Sequence, residues 1–130
     1  DNLAMHETTM TQIENDFQEK VLQARKLSKI ARLEILAKSE PKPTKTFIMQ
    51  AVFNRNQYVV AEVLDRANGI CEHCLKPAPF KKDIDNQPYL EVHHVVSLAN
   101  GGDDTVDNAI ALCPNCHRHA HYGQNSYSQD

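Results

Sequence analysis

Tryptophan is missing from this 130-residue chain, and aromatic residues of every kind make up only 6% of it. So few large rings do not favour a large core, and the length fits one compact domain, with or without an appended arm. No stretch reaches the roughly 18 apolar residues of a membrane-spanning helix, and no charged-then-apolar signal pattern opens the chain. A soluble, intracellular, cytoplasmic protein is expected. An excess of positive charge is missing too: 14 Lys and Arg stand against 17 Asp and Glu, for a formal net charge of -3. A strongly basic chain is the usual footprint of a nucleic-acid binder, so the sum gives no such sign. The distribution is more informative, because the segment Lys20 to Lys45 is predominantly basic, with Glu34 and Glu40 as its acidic members.

Residues 1–10 are polar and aperiodic and are expected to form a disordered lead. From Thr11 to Lys38 there is no Pro or Gly, and Ile13, Phe17, Val21, Ala24, Ala31 and Ile35 recur at helical spacing. Leu27, Ile30 and Leu33 add a second apolar row, so one long amphipathic helix is predicted. Such a wide apolar face needs cover, from the rest of the chain or from a second copy. Pro41 and Pro43 break the helix. Residues 11–46 therefore read as a long helix with a Pro-containing linker, an inter-domain or dimerisation arm. Phe47 to Phe53 is expected to be helical or irregular. A further helix is predicted over Gln57 to Ala67, with Asn56 as its N-cap and Gly69 stopping it.

After Gly69 the elements shorten. Tyr89 to Val95 alternates as a strand, Gly101-Gly102 marks a loop, and Ala109 to Leu112 is a second short strand. Pro114 then suits the first turn of a helix. Residues 123–130 read as a flexible tail.

Two Cys-x2-Cys pairs bracket this region: Cys71 with Cys74, and Cys113 with Cys116. Four thiolates at that spacing, with histidines nearby, favour a tetrahedral structural zinc over two disulfides. Bound metal often stabilises a small module in place of a larger core. His93-His94, His117 and His121 are left over. His117 and His121 stand four apart, so on a helix both imidazoles share a face, and a second metal fits there.

Taken in order, Gly69-Ile70-Cys71-Glu72-His73-Cys74, Leu90-Glu91-Val92-His93-His94-Val95, Gly101-Gly102, Asn108 and Cys113-Pro114-Asn115-Cys116-His117 onward to His121-Tyr122 resemble a known family. It is the HNH, or ββα-metal, endonucleases, in their McrA-like branch with a four-cysteine zinc site. The resemblance covers about Asn56 to Tyr122 and is specific, since these words rarely occur together in order. It implies an α+β fold: a small ββα-metal module with a structural zinc knuckle over residues 47–122, preceded by α-helices.

The resemblance also implies roles. His94 matches the general base, and Asn108 the central residue that fixes the loop and orients that base. His93, His117 and His121 match the ligands of a catalytic divalent cation, with His117 as the final H of the motif name. Three imidazoles suit Zn, Ni, Co or Mn better than Mg. The implied reaction is hydrolysis of DNA phosphodiesters to 5′-phosphate and 3′-hydroxyl ends. McrA-like relatives restrict modified DNA and commonly carry a separate upstream reader, so a recognition domain beyond this chain is expected. It lacks the length and aromatics for a flipped-base pocket of its own. The alternatives are a phage, toxin or repair HNH nuclease, or a zinc-knuckle module that binds nucleic acid without catalysis. A homodimer through the first helix would supply two sites for a double-strand break.

Other residues have plainer readings. His73 and His119 read as surface side chains, while Arg118, Lys76, Lys81 and Lys82 are either phosphate contacts or solvated charge. Asp103, Asp104 and Asp107 fit capping and turn chemistry. The sequence leaves Glu91 open.

Overall fold

The computed structural model describes residues 2–124. They divide into two compact units, Asp1–Val52 and Phe53–Asp130, taken here separately.

The first unit is helical. Helix α1 spans Asn2–Lys26 and helix α2 spans Lys29–Ala37. The single helix predicted over Thr11 to Lys38 is thus two, and the expected lead over residues 1–10 is helical from Asn2 onward. Nothing from Asn2 to Lys26 is Pro or Gly, so no residue stops the helix earlier. The break comes from Ser28. Its backbone is extended and its side chain accepts the Ala31 N–H at 3.1 Å, the geometry of an N-cap that starts a new helix. The Arg32 guanidinium reaches back to the Ala24 carbonyl at 3.3 Å, which also accepts the Leu27 N–H at 3.2 Å, so two donors hold the end of α1. Ile30 and Leu36 remain 73% and 62% exposed, so this unit does not cover its own apolar face. Phe47 to Phe53 is irregular.

The second unit holds the motifs. Helix α3 spans Gln57–Ala67, the predicted range, and the Asn56 side chain caps it by accepting the Tyr58 N–H at 2.9 Å. Its C-cap is Asn68 in the left-handed region (φ 52°), one residue ahead of Gly69. Val59, Val63 and Ala67, at i, i+4 and i+8, form its buried face. Strand β1 (Glu91–His94) pairs antiparallel with strand β2 (Ala109–Leu112), and helix α4 follows over Pro114–Tyr122. β1 is shorter than the predicted Tyr89 to Val95: the Tyr89 N–H bonds instead to Phe80 O, and Val95, just past the strand, keeps only the in-register bond of its N–H to Asn108 O.

The register pairs Glu91 with Leu112, Val92 with Ala111, His93 with Ile110 and His94 with Ala109. Side chains alternate along each strand, so Val92, Ala109 and Ala111 face α3, and Glu91 and His93 face α4. The apolar cluster on the α3 side is Val59, Val63, Ala67, Ala109 and Ala111, flanked by Leu64, Leu90, Val92 and Val106. It is small. Each fully buried Val or Leu contributes about 1.5–3 kcal/mol, so so few leave a role for metal cross-links.

Candidate metal and catalytic site

The cysteines come together as their spacing predicts. The chain turns back at Leu75 (φ 63°), where its N–H bonds the Cys71 carbonyl and an antiparallel bridge joins Ile70 to Pro77. This brings Cys71 and Cys74 to Cys113, the N-cap of α4, and Cys116 in its first turn. Their sulfurs all lie within 4.8 Å of one another, a set that could hold a tetrahedral zinc. Burial pushes the Cys71 thiol up, but N–H groups of Cys113, Cys74 and His73 aimed at it outweigh that and bring it down to about 6. Burial, followed by the neighbouring Cys113, Cys71 and Cys74 sulfurs, pushes Cys116 up. Crowded sulfurs oppose one another's ionisation, so Cys71 is lowered while Cys116 is raised. His73 is exposed as predicted, though its Nδ1 lies 3.5 Å from Cys116 Sγ.

The knuckle is tied to the sheet through its second residue. The Glu72 N–H donates to Ala111 O, and Glu72 Oε1 accepts the Ala111 N–H, both at 2.9 Å. Arg66 on α3 pairs with the same carboxylate at 2.8 Å and donates to Ala109 O at 2.8 Å. That ion pair, led by its side-chain hydrogen bond, raises Arg66 and lowers Glu72 from their usual values.

His93, His117 and His121 form the second set, with one ring nitrogen of each inside a 4.8 Å span. The His93 and His117 rings meet edge-on at 5.1 Å, and His117 Nε2 stands 3.1 Å from His121 Nε2. Among the described residues, His93 Nε2 is the one buried side-chain nitrogen or oxygen without a hydrogen-bond partner. Such an orphan costs about 1–3 kcal/mol, and a divalent cation would satisfy it. Burial first, then the neighbouring His117, His121 and His94, push His93 down to about 4. Burial and His117 also lower His121. Neutral imidazoles are what a metal requires. Glu91 Oε1 lies 2.7 Å from His117 Nδ1; a proton on Nδ1 leaves the Nε2 lone pair for a cation. Tyr89 Oη donates to the other Glu91 oxygen at 2.6 Å. The residues fit a divalent cation.

His94 ends β1 and its side chain is 8% exposed, yet it shares a cavity of ≈ 170 Å³ with His93, His117 and His121. The structure thus brings all four predicted histidines together. Asn108 lies nearby in a different capacity. Its Oδ1 accepts the Val96 N–H at 2.9 Å, and its Nδ2 donates to Val96 O at 2.9 Å and Asp103 O at 2.8 Å. It staples the two ends of the loop after β1, and that loop closes tightly. A Cβ on Gly102 would fall 1.8 Å from Val96 O, so only glycine fits.

The group that touches His94 is Asp104, whose Oδ1 lies 2.9 Å from Nε2. Turn chemistry therefore does not account for Asp104. Three acids stand close together in this loop, and only its path shows which of them meets the histidine. Glu91 is likewise given a partner that spacing could not reveal. Arg55, which sequence reasoning passed over, lines a groove of ≈ 640 Å³ with Lys82, Arg118, His117 and His121. Lys76 and Lys81 are exposed away from that lining, and His119 is exposed on α4.

Two short strands and a helix thus bring three imidazoles together beside a fourth, next to four clustered cysteines. Residues 71–123 match the model of the HNH endonuclease family. Among curated proteins it is similar to the type IV methyl-directed restriction enzyme EcoKMcrA of Escherichia coli (strain K12), 52% identical over 85 residues. That match takes in 65% of this chain and 30% of the relative. Among solved structures it is similar to the type IV phosphorothioation-dependent restriction endonuclease ScoMcrA, with 38% identity and a TM-score of 0.49. There it covers 55% of this chain and 16% of the other. The chain thus spans less than a third of either relative's length. No helix among the described residues is long and apolar enough to cross a membrane.

Proposed function

We propose that this chain is a metal-dependent DNA endonuclease that hydrolyses phosphodiester bonds, with His94 as general base. The observation that carries the reading is the convergence of His94 with His93, His117 and His121 on one cavity within an HNH domain. A neutral imidazole can take a proton from water. The water oxygen bonds to phosphorus as its proton passes to His94. The bond from phosphorus to the 3′ oxygen breaks, and that oxygen leaves with the electron pair and takes a proton from solvent. The ends are a 5′-phosphate and a 3′-hydroxyl.

His93, His117 and His121 would hold the divalent cation, Mn, Ni, Co or Zn in preference to Mg on their ligand chemistry. When bound, that cation supplies Lewis-acid stabilisation of the charge growing on the phosphate oxygens. Glu91 orients His117, and Asn108 fixes the loop beside the base. Cys71, Cys74, Cys113 and Cys116 hold a structural zinc. Arg55, Lys82 and Arg118 supply positive charge to the groove that borders His117 and His121, where DNA phosphates would lie.

Modification-dependent restriction in the cytoplasm is the role we assign, with recognition supplied by a separate domain. It is supported by the 52% identity to a methyl-directed restriction enzyme. Plasmid cleavage by the wild type and by His94→Ala, each with structural zinc retained and Mn or Ni added, tests the nuclease reading. The expected result is chelator-sensitive cleavage by the wild type alone. No cleavage by the wild type with any divalent ion would favour a zinc-knuckle binding module, and cleavage by folded His94→Ala at the normal rate would refute the base.

A further inference from the structure

We propose that Asp104 is the positioning residue for His94, holding the imidazole in its Nε2–H tautomer so that Nδ1 is the nitrogen that accepts the proton from water. This rests on the assignment of His94 as general base.

An ionised carboxylate only accepts hydrogen bonds, so a carboxylate oxygen 2.9 Å from Nε2 requires the proton on that nitrogen. The lone pair is then on Nδ1. The carboxylate is itself anchored, because Asp104 Oδ2 accepts the Asn56 N–H at 2.6 Å, where the chain enters α3. That N–H first, and His94 second, hold the Asp104 carboxyl below the usual carboxylate range, so it is ionised at neutral pH. With both oxygens held, Asp104 joins the start of α3 to the end of β1. The side chains of His94 and Asp104 are 8% and 22% exposed, so water competes little for the bond.

The geometry divides the orienting role between two residues. The side-chain bonds of Asn108 go to Val96 and Asp103 and not to His94. Asn108 sets the loop, and the loop presents Asp104. When the proton of the attacking water moves to Nδ1, the ring becomes an imidazolium. The facing carboxylate stabilises that charge without taking up a proton itself.

The test uses the whole 130-residue chain loaded with zinc. Long-range proton–nitrogen NMR spectra read the His94 tautomer directly, and cleavage kinetics read its consequence. The expected result is an Nε2–H ring in the wild type, and loss of that single tautomer in Asp104→Asn. In Asp104→Asn, kcat falls about 100-fold with KM little changed. Added to His94→Ala, Asp104→Asn causes no further loss, because it acts through that ring.

A wild-type His94 found as the Nδ1–H form overturns the proposal, and this outcome does not depend on any variant folding. So does an Asp104→Asn protein with wild-type kcat beside an inactive His94→Ala, or a further loss in the double variant. Normal cleavage by His94→Ala refutes instead the base assignment on which the proposal rests.

Discussion

Asn108→Asp conserves the size of a side chain and changes one group: the nitrogen that donates to Val96 O and Asp103 O becomes an anionic oxygen facing them. Two hydrogen bonds are lost, at about 1 kcal/mol each. The new oxygen also meets two carbonyl oxygens at distances of 2.9 and 2.8 Å, which adds repulsion. Asn108→Ala loses three bonds, but it leaves space for water to reach groups that lie near the surface. The expected costs are therefore about 3 kcal/mol for Asn108→Asp and about 1–2 kcal/mol for Asn108→Ala. A domain stable by roughly 5–15 kcal/mol survives either change. Each kcal/mol lowers the melting temperature by about 4–8 °C in a domain of this size. Thermal denaturation of the zinc-saturated proteins reads this order, and the near-isosteric substitution should be the worse of the two. If Asn108→Asp melts with the wild type, or above Asn108→Ala, the stapling role deduced from the hydrogen bonds is wrong.

Two further outcomes follow from the cysteine site and from the helical unit. Cys71→Ser, or removal of zinc by a strong chelator, should abolish the cooperative melt of the second unit, because the apolar core is small and Cys71 is fully buried; an unchanged thermal transition would show that the core suffices alone. The exposed apolar side chains of α1 and α2 should seat a second copy, so sedimentation velocity should give a dimer that becomes a monomer when residues 1–46 are deleted; a monomer in both forms would exclude that interface.

The pairs Cys71 with Cys74, Cys113 with Cys116, and His117 with His121 were legible in the sequence because their members are close along the chain. Two residues between paired cysteines, and three between His117 and His121, place each pair through local geometry alone. The cap and the extent of α3 were legible for the same reason. The break at Ser28 was not, since a serine within a helical apolar pattern can lie in the helix interior or begin a new one. Asp104 and Glu91 were not legible as partners of histidines either. Their contacts depend on how a glycine-closed loop is routed and on how α4 crosses β1. Arg66 and Glu72 carry a comparable long-range link, from helix to knuckle to sheet, that no spacing announces.

The doubled histidine at the end of β1 creates an ambiguity in strand pairing. Shift β1 by one residue against β2, and a histidine still occupies each side of the strand end, so the reactive groups alone would tolerate the mistake. The unreactive residues do not. The shifted pairing would turn Glu91 and His93 toward the Val59 and Val63 face of α3 and Val92 away from it. The hydrogen bond from the Val95 N–H to Asn108 O, just past the strand, would be lost as well. The placement of the four histidines thus rests on an alternation of ordinary valines and alanines, and a substitution among these apolar residues would change which histidine faces which side of the sheet.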